Sequence, residues 1–288
     1  MNPFIARVFP AIVMVVIISG TVALSQEQQG LQTGSRWTNS VGMIFVPVPH
    51  TKVLFSIYET RVKDFIAFAA THPQLNGTNW NRALYHGATP VSDGPDYPVV
   101  NVSWNDAQAF CTWLTKNEQQ AGTINGKQFF RLPTDAEWSW AVGIGDLETN
   151  GTPKEKNSKI KNVYPWGTQF PPPSGAGNFA DLAALNYFTN WPHIEGYNDG
   201  FVTTAPVGSF TPNALSIFDL AGNAMEWCDD FYDDSHKQRV LRGGAWINCG
   251  PDSLWSSYRN HTAPDRFSVA TGFRPVLVTD EEGEEKTK

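Results

Sequence analysis

Phe218-Asp219-Leu220-Ala221-Gly222-Asn223-Ala224-Met225-Glu226-Trp227 places two carboxylates on either side of Gly222-Asn223. That pair favours a tight turn, which leaves backbone carbonyls free to point away from regular structure. Calcium takes about six to eight oxygens from such a mixture of carboxylates and carbonyls. Asp199-Gly200-Phe201 is a second place where an acid adjoins a glycine turn. Spacing alone favours a plainer reading, in which Asp199 and Asp219 cap turns and Glu226 pairs with an arginine.

Working outward, Arg242-Gly243-Gly244-Ala245-Trp246 and Gly272-Phe273-Arg274 follow the run, and Arg131-Leu132-Pro133-Thr134-Asp135-Ala136-Glu137-Trp138 precedes it. Arg131, Arg242, Arg259, Arg274 and Glu137 are expected to hold loops through ion pairs and hydrogen bonds. Ser103-Trp104-Asn105-Asp106 and Thr134-Asp135-Ala136-Glu137 each carry a hydroxyl with an acid three residues on, the signature of a helix start. The first is followed by an apolar stripe of Ala107, Phe110, Cys111 and Leu114, the second by Trp138, Ala141 and Val142. A third helix is predicted after Thr60, with Val62, Phe65, Ile66 and Ala69 as its buried face. Met43–Val48 and Lys52–Tyr58 read as strands, and the stretches at Leu241–Gly244 and Gly272–Val278 read as closing strands. Gly143–Gly196 is rich in Pro, Gly and Asn and is expected to be ordered loop, with Asp181–Pro192 resembling an insertion.

The 288 residues carry a net charge of −7, with 41% hydrophobic and 17% charged residues. No basic stripe is present, which excludes a nucleic-acid partner. Eleven tryptophans, 24 glycines and 20 prolines predict a loop-rich fold packed on aromatic rings. Arg7, the apolar run Ala11–Ile18 and the small residues to Ser25 have the layout of a secretory signal peptide over 1–25. The expected location is therefore secreted or periplasmic, with no membrane association after cleavage. Residues 26–40 read as a polar leader, 41–278 as one domain, and 279–288 as a charged, disordered tail.

Together the four blocks resemble the sulfatase-modifying-factor family, the family of formylglycine-generating enzymes. The resemblance implies an α+β fold related to C-type lectins, loop-rich and low in regular secondary structure. It also implies two structural calcium sites. One matches Asn178, Phe179, Asp199 and Phe201, the other Asp219, Gly222, Ala224 and Glu226, with Gly222 and Ala224 giving carbonyls. Catalysts of the family hold copper(I) between two cysteine thiolates, a soft ion on soft ligands. Counting from Gly244, those two places hold Asn248 and Ser253, and Cys249 lies one step off. Catalysts have Ser where this chain has Ala245, and Trp where it has Met225. Cys111 matches a family cysteine whose disulfide partner is replaced by Pro275.

Copper is therefore not expected. Cys249 could be an inert thiol, a disulfide partner of Cys228, or a nucleophile if a base such as His261 lowered its pKa. Asn248, Arg259 and Asn260 lie near where the substrate peptide runs in relatives and are candidate binding residues. The reading favoured is an exported, calcium-stabilised domain without oxidase activity that binds a peptide, a glycan or a protein. The alternative is an oxidase converting a sulfatase cysteine to formylglycine.

Overall fold

A computed structural model describes residues 35–279 except 74 and 76–78. The signal-peptide segment, most of the leader and all of the tail beyond Thr279 lie outside the described residues. The elements in chain order are β1 (Trp37–Thr38), β2 (Ile44–Pro47), β3 (Val53–Ser56), α1 (Val62–Ala70), β4 (Leu84–Tyr85), β5 (Thr89–Pro90), α2 (Trp104–Ala121), β6 (Phe129–Arg131) and α3 (Asp135–Val142). They continue with α4 (Pro153–Lys156), α5 (Leu182–Tyr187), β7 (Met225–Phe231), β8 (Arg239–Arg242), β9 (Asn260–Thr262), β10 (Thr271–Gly272) and β11 (Val276–Val278). The chain is α+β, with much irregular backbone between short elements.

One sheet has the order β1-β2-β3-β11-β6 and the other β10-β7-β8-β9, with β4 and β5 forming a small hairpin. Both faces of the first sheet are covered. Phe45, Leu54, Phe130 and Leu277 pack with α1 and α2 on one face, while Val46, Val53, Phe55 and Val276 pack with Trp138 and Ala141 of α3 on the other. All of β3 is buried for this reason, so its sequence shows only a partial alternation. Phe273-Arg274-Pro275 joins β10 to β11 and so carries the chain from the second sheet to an inner strand of the first, between β3 and β6.

The helix starts obey their local signals. Ser103 accepts from Asp106 N at 3.1 Å while Asp106 accepts from Ser103 N at 2.9 Å, and Thr134 and Glu137 repeat the exchange. The stripe of Ala107, Phe110, Cys111 and Leu114 is buried, as expected. In α1 Val62, Phe65 and Ala69 pack on the core as expected, and Ile66 alone departs. Ile66 is 51% exposed, and Phe68 takes its place beside Phe65, within stacking range of Phe110 and Trp113. The buried acid Asp64 is fastened to Arg61 at the start of the helix.

Two further corrections concern loops. The described end of the leader enters the fold: Trp37 opens β1 and packs on Phe45 and Phe130 at ring distances of 5.6 and 6.2 Å. The loop region 143–196 holds two short helices, and Asp181 caps α5 by accepting from Ala183 N and Ala184 N. Among the described residues no helix is long and apolar enough to cross a membrane.

Candidate functional site

The run Phe218–Trp227 crosses from loop into β7. Asp219, Gly222 and Asn223 all have positive φ, so the backbone turns sharply before the strand starts at Met225. Gly222 has no room for a side chain: a Cβ there would lie 2.0 Å from the Asn178 carbonyl oxygen. Glu226 is fully buried, receiving Arg274 Nη2 on Oε1 at 2.5 Å and Trp138 Nε1 on Oε2 at 2.9 Å. Arg274 also donates to the carbonyls of Ser56 and Phe218. The expected arginine pairing of Glu226 is thus present. Asp219 Oδ2 accepts from Gly208 N at 2.7 Å, and Asp219 Oδ1 is buried with no hydrogen-bond partner among the described residues.

A third carboxylate joins this pair. Glu59 accepts from Ala224 N at 2.9 Å and from Asn223 Nδ2 at 2.6 Å. Burial raises its pKa well above the ordinary range, and the charges of Asp219 and Glu226 add to the effect. Burial likewise brings Asp219 up to about 6. Sequence reasoning missed Glu59, because its partners lie 164 and 165 positions away.

The other set lies beside the first. Asn178 forms an isolated parallel bridge with Gly222. Its Nδ2 donates to Thr203 O at 2.7 Å, and its Oδ1 is buried without a partner among the described residues. Asp199 accepts from Phe179 N and Phe201 N, each at 2.8 Å. Burial, reinforced by neighbouring Asp181, lifts Asp199 to about 7. Asp181, another residue missed as a site member, accepts the Asp199 backbone N–H. Among the described residues no three or more His, Cys, Asp or Glu side chains are grouped to hold a metal. Each set does hold a buried oxygen with no hydrogen-bond partner among the described residues, Asp219 Oδ1 in one and Asn178 Oδ1 in the other, and such oxygens are the kind that hard cations take.

The glycine pair leads to the cysteine-bearing loop. A Cβ on Gly244 would be 3.6 Å from the Ser253 backbone carbonyl oxygen and 3.8 Å from Asn248 Oδ1, so the loop packs closely over this glycine. Asn248 Oδ1 accepts from Ala245 N at 2.8 Å, and Ser253 Oγ donates to Gly250 O at 2.7 Å. The three cysteines are all free, which removes the disulfide between Cys228 and Cys249. They occupy three separate packing clusters: Cys111 with α1 and α2, Cys228 beneath Trp138, and Cys249 against the cluster of Tyr164 and Phe179. Burial pushes the Cys249 thiol up. His261, the base considered for it, is engaged elsewhere: Nδ1 lies 2.7 Å from Gln238 Oε1 and the ring stacks on Tyr232 at 3.7 Å.

Arg259 faces inward. It meets Asp135 through Nε and Nη2, the Ser257 carbonyl through Nη1, and Glu148 through Nη2. Asn260, on β9, donates to Met225 Sδ at 3.4 Å and accepts from His261 N. Arg259 is thus sealed inside the framework, while Asn260 is half-buried at the start of β9. The neighbours of the Asn248 loop are aromatic. Tyr85 meets Trp246, Phe188 and Trp191 at ring distances of 5.2, 5.5 and 5.5 Å, and Ile247 is exposed. Asn248 O accepts from Ala180 N, which ties this face to the Asn178–Asp181 segment.

Comparison with known proteins agrees with this architecture. A formylglycine-generating enzyme of Streptomyces coelicolor is 31% identical over 73% of this chain and 63% of its own length. A Bos taurus protein named inactive C-alpha-formylglycine-generating enzyme 2 is 34% identical over 76% of this chain and 65% of its own. A formylglycine-generating enzyme of Bos taurus is 29% identical over 74% of this chain and 52% of its own. The chain thus spans about half to two thirds of the length of these relatives. In fold, it is similar to PvdO from Pseudomonas aeruginosa, with TM-score 0.56, 20% identity and coverage of 86% of this chain and 99% of that one. Treponema denticola variable protein 1 gives TM-score 0.51 and 20% identity over 85% and 99%. The sulfatase-modifying factor enzyme 1-like domain matches residues 6–279, and the chain belongs to the FGE-sulfatase family.

Proposed function

We propose that this protein is an exported, calcium-stabilised member of the family that binds a peptide, glycan or protein partner and does not oxidise cysteine. The observation that carries this reading is the separation of the sulfurs. Copper(I) is selected by paired soft ligands, whereas the positions that match the catalysts' two cysteines hold Asn248 and Ser253, and the chain's three thiols lie in three different clusters. An amide and a hydroxyl are hard oxygen donors and do not replace thiolates. The single nearby thiol, Cys249, is shifted by burial away from its reactive form.

The oxygen-lined sets fit calcium by three features. Asn178 Oδ1 and Asp219 Oδ1 are buried oxygens without partners among the described residues. Glu59, Asp219 and Glu226 are mutually repelling carboxylates served by one guanidinium, Arg274. The remaining donors by family resemblance are carbonyls of Gly222, Ala224, Phe179 and Phe201. A bound calcium would supply positive charge that cancels this repulsion and fixes the loops. The partner would meet the aromatic face of Tyr85, Phe188 and Trp191 beside Asn248, where flat rings suit an apolar side chain or a sugar face.

The test is incubation of the protein with copper, oxygen and a peptide carrying Cys-X-Pro-X-Arg, read by mass spectrometry. Unchanged peptide is the expected result. Loss of mass at the cysteine would establish the oxidase instead.

A further inference from the structure

We infer that Asn223 and Glu59 couple the two candidate cation sites, so that filling one raises the affinity of the other; this rests on the calcium reading above. The observation is a continuous chain of amide and carboxylate contacts between them. Asn178 Nδ2 donates to Asn223 Oδ1 at 3.3 Å, and Asn223 Nδ2 donates to Glu59 Oε2 at 2.6 Å. Glu59 Oε1 then accepts from Ala224 N at 2.9 Å, and Asn223 N donates to Asn178 O at 2.9 Å. All four residues are buried.

Geometry makes this chain directional. An amide that donates from one side must aim its oxygen to the other. Thr203 O and Asn223 hold the nitrogen of Asn178, and so aim Oδ1, the unpartnered oxygen of the first set. The plane of the Asn223 amide is itself fixed, because Ala205 N donates to its oxygen and Ala205 O accepts from its nitrogen. Asn223 lies between Gly222 and Ala224, whose carbonyls belong to the second set. A cation there holds the turn, the turn holds Asn223, and Asn223 aims Asn178. Linkage requires the converse as well: a cation on Asn178 must favour the second site by the same factor. Glu59 is a positioning residue in this scheme, anchoring both the Asn223 amide and the Ala224 peptide.

The experiment is calorimetric titration of calcium into chelator-stripped full chain. Asp219→Gly removes a donor from the second site while tolerating the positive φ of that position. Coupling predicts that it weakens calcium at the surviving site by about fivefold or more, the lower end of typical couplings. In the Asn223→Gly background the same change should shift the surviving site less than about twofold. Should Asn223→Gly fail to fold, Glu59→Gln, which keeps the shape, gives the same comparison. Two calcium ions bound with the surviving site indifferent to Asp219→Gly overturns the coupling alone. No calcium uptake by the wild type overturns the calcium reading, and the coupling with it.

Discussion

Arg259 holds Asp135 in a two-point ion pair, Nε to Oδ1 at 2.9 Å and Nη2 to Oδ2 at 3.0 Å, with both side chains sealed from solvent. Arg242 and Lys156 reach the same carboxylate, and Ser139 Oγ accepts from both arginines. This centre pins the start of α3 to β8 and to the loop before β9. An arginine that resemblance places beside a ligand is therefore a framework residue in this chain, its donors already engaged.

The first prediction concerns that centre. Burial opposes the charge on Asp135, but Arg242, Arg259 and Lys156 outweigh it and hold the carboxyl well below its ordinary range. A carboxyl whose folded pKa is depressed stabilises the fold above its unfolded pKa, about 3.9, and that stability is lost as pH falls further. Asp135→Asn leaves two buried guanidiniums short of charge and should cost about 3–5 kcal/mol at pH 7. Urea unfolding at pH 7 and pH 3 checks this: the gap between wild type and variant should narrow in acid. An equal gap at both pH values would count against the ion-pair account.

The elements legible in the chain are those whose causes are local. Ser103 with Asp106, and Thr134 with Glu137, announce α2 and α3 within four residues, and both helices start where expected. β7 was hidden for the opposite reason. Its second residue is the buried acid Glu226, so the apolar pattern of a strand is broken at the point where function enters. Glu59 gave no signal, since its meaning depends on Asn223 and Ala224 folding onto it from the far part of the chain. The thiol question was legible in part: the count of cysteines was plain, but their distribution over three packing clusters needed the fold.

A second prediction follows from the two positions that match the cysteines of family catalysts. If residue identity at Asn248 and Ser253 is what denies this chain copper(I), Asn248→Cys with Ser253→Cys should create a thiolate pair. The double variant is expected to take copper(I) from a competing chelator, while wild type does not. Loss of the Asn248 bond to Ala245 N should cost about 1 kcal/mol. Equal copper(I) uptake by wild type and the double variant would show that the loop does not set the metal preference.

A third prediction tests the turn before β7. Gly222→Ala puts a side chain at φ 76° and against the Asn178 carbonyl. The backbone strain alone is about 1–3 kcal/mol, and the clash adds to it by separating the two oxygen-lined sets. Thermal unfolding should show a clear loss, larger with calcium present than in chelator, because the variant also forfeits bound-ion stabilisation. A melting temperature equal to wild type in both conditions would mean that the bridge between Asn178 and Gly222 is not needed.

The last prediction separates a hydrogen bond from the ring that carries it. Trp138 lies between two charged centres: its ring faces the Arg242 guanidinium at 4.3 Å, and its Nε1 donates to Glu226 Oε2 at 2.9 Å. Trp138→Phe retains an aromatic face for Arg242 but strips a buried carboxylate oxygen of its donor. An unmet buried acceptor costs about 1–3 kcal/mol, with charged acceptors toward the upper end. Trp104→Phe is the comparison, since that indole donates at 3.0 Å to a neutral carbonyl, of Cys228, and also faces an arginine, Arg239, although Trp104 is half-buried where Trp138 is sealed. Chemical denaturation should rank Trp138→Phe as the more damaging of the two. The opposite order would mean that ring packing, not the bond to Glu226, is what Trp138 contributes to the carboxylate centre.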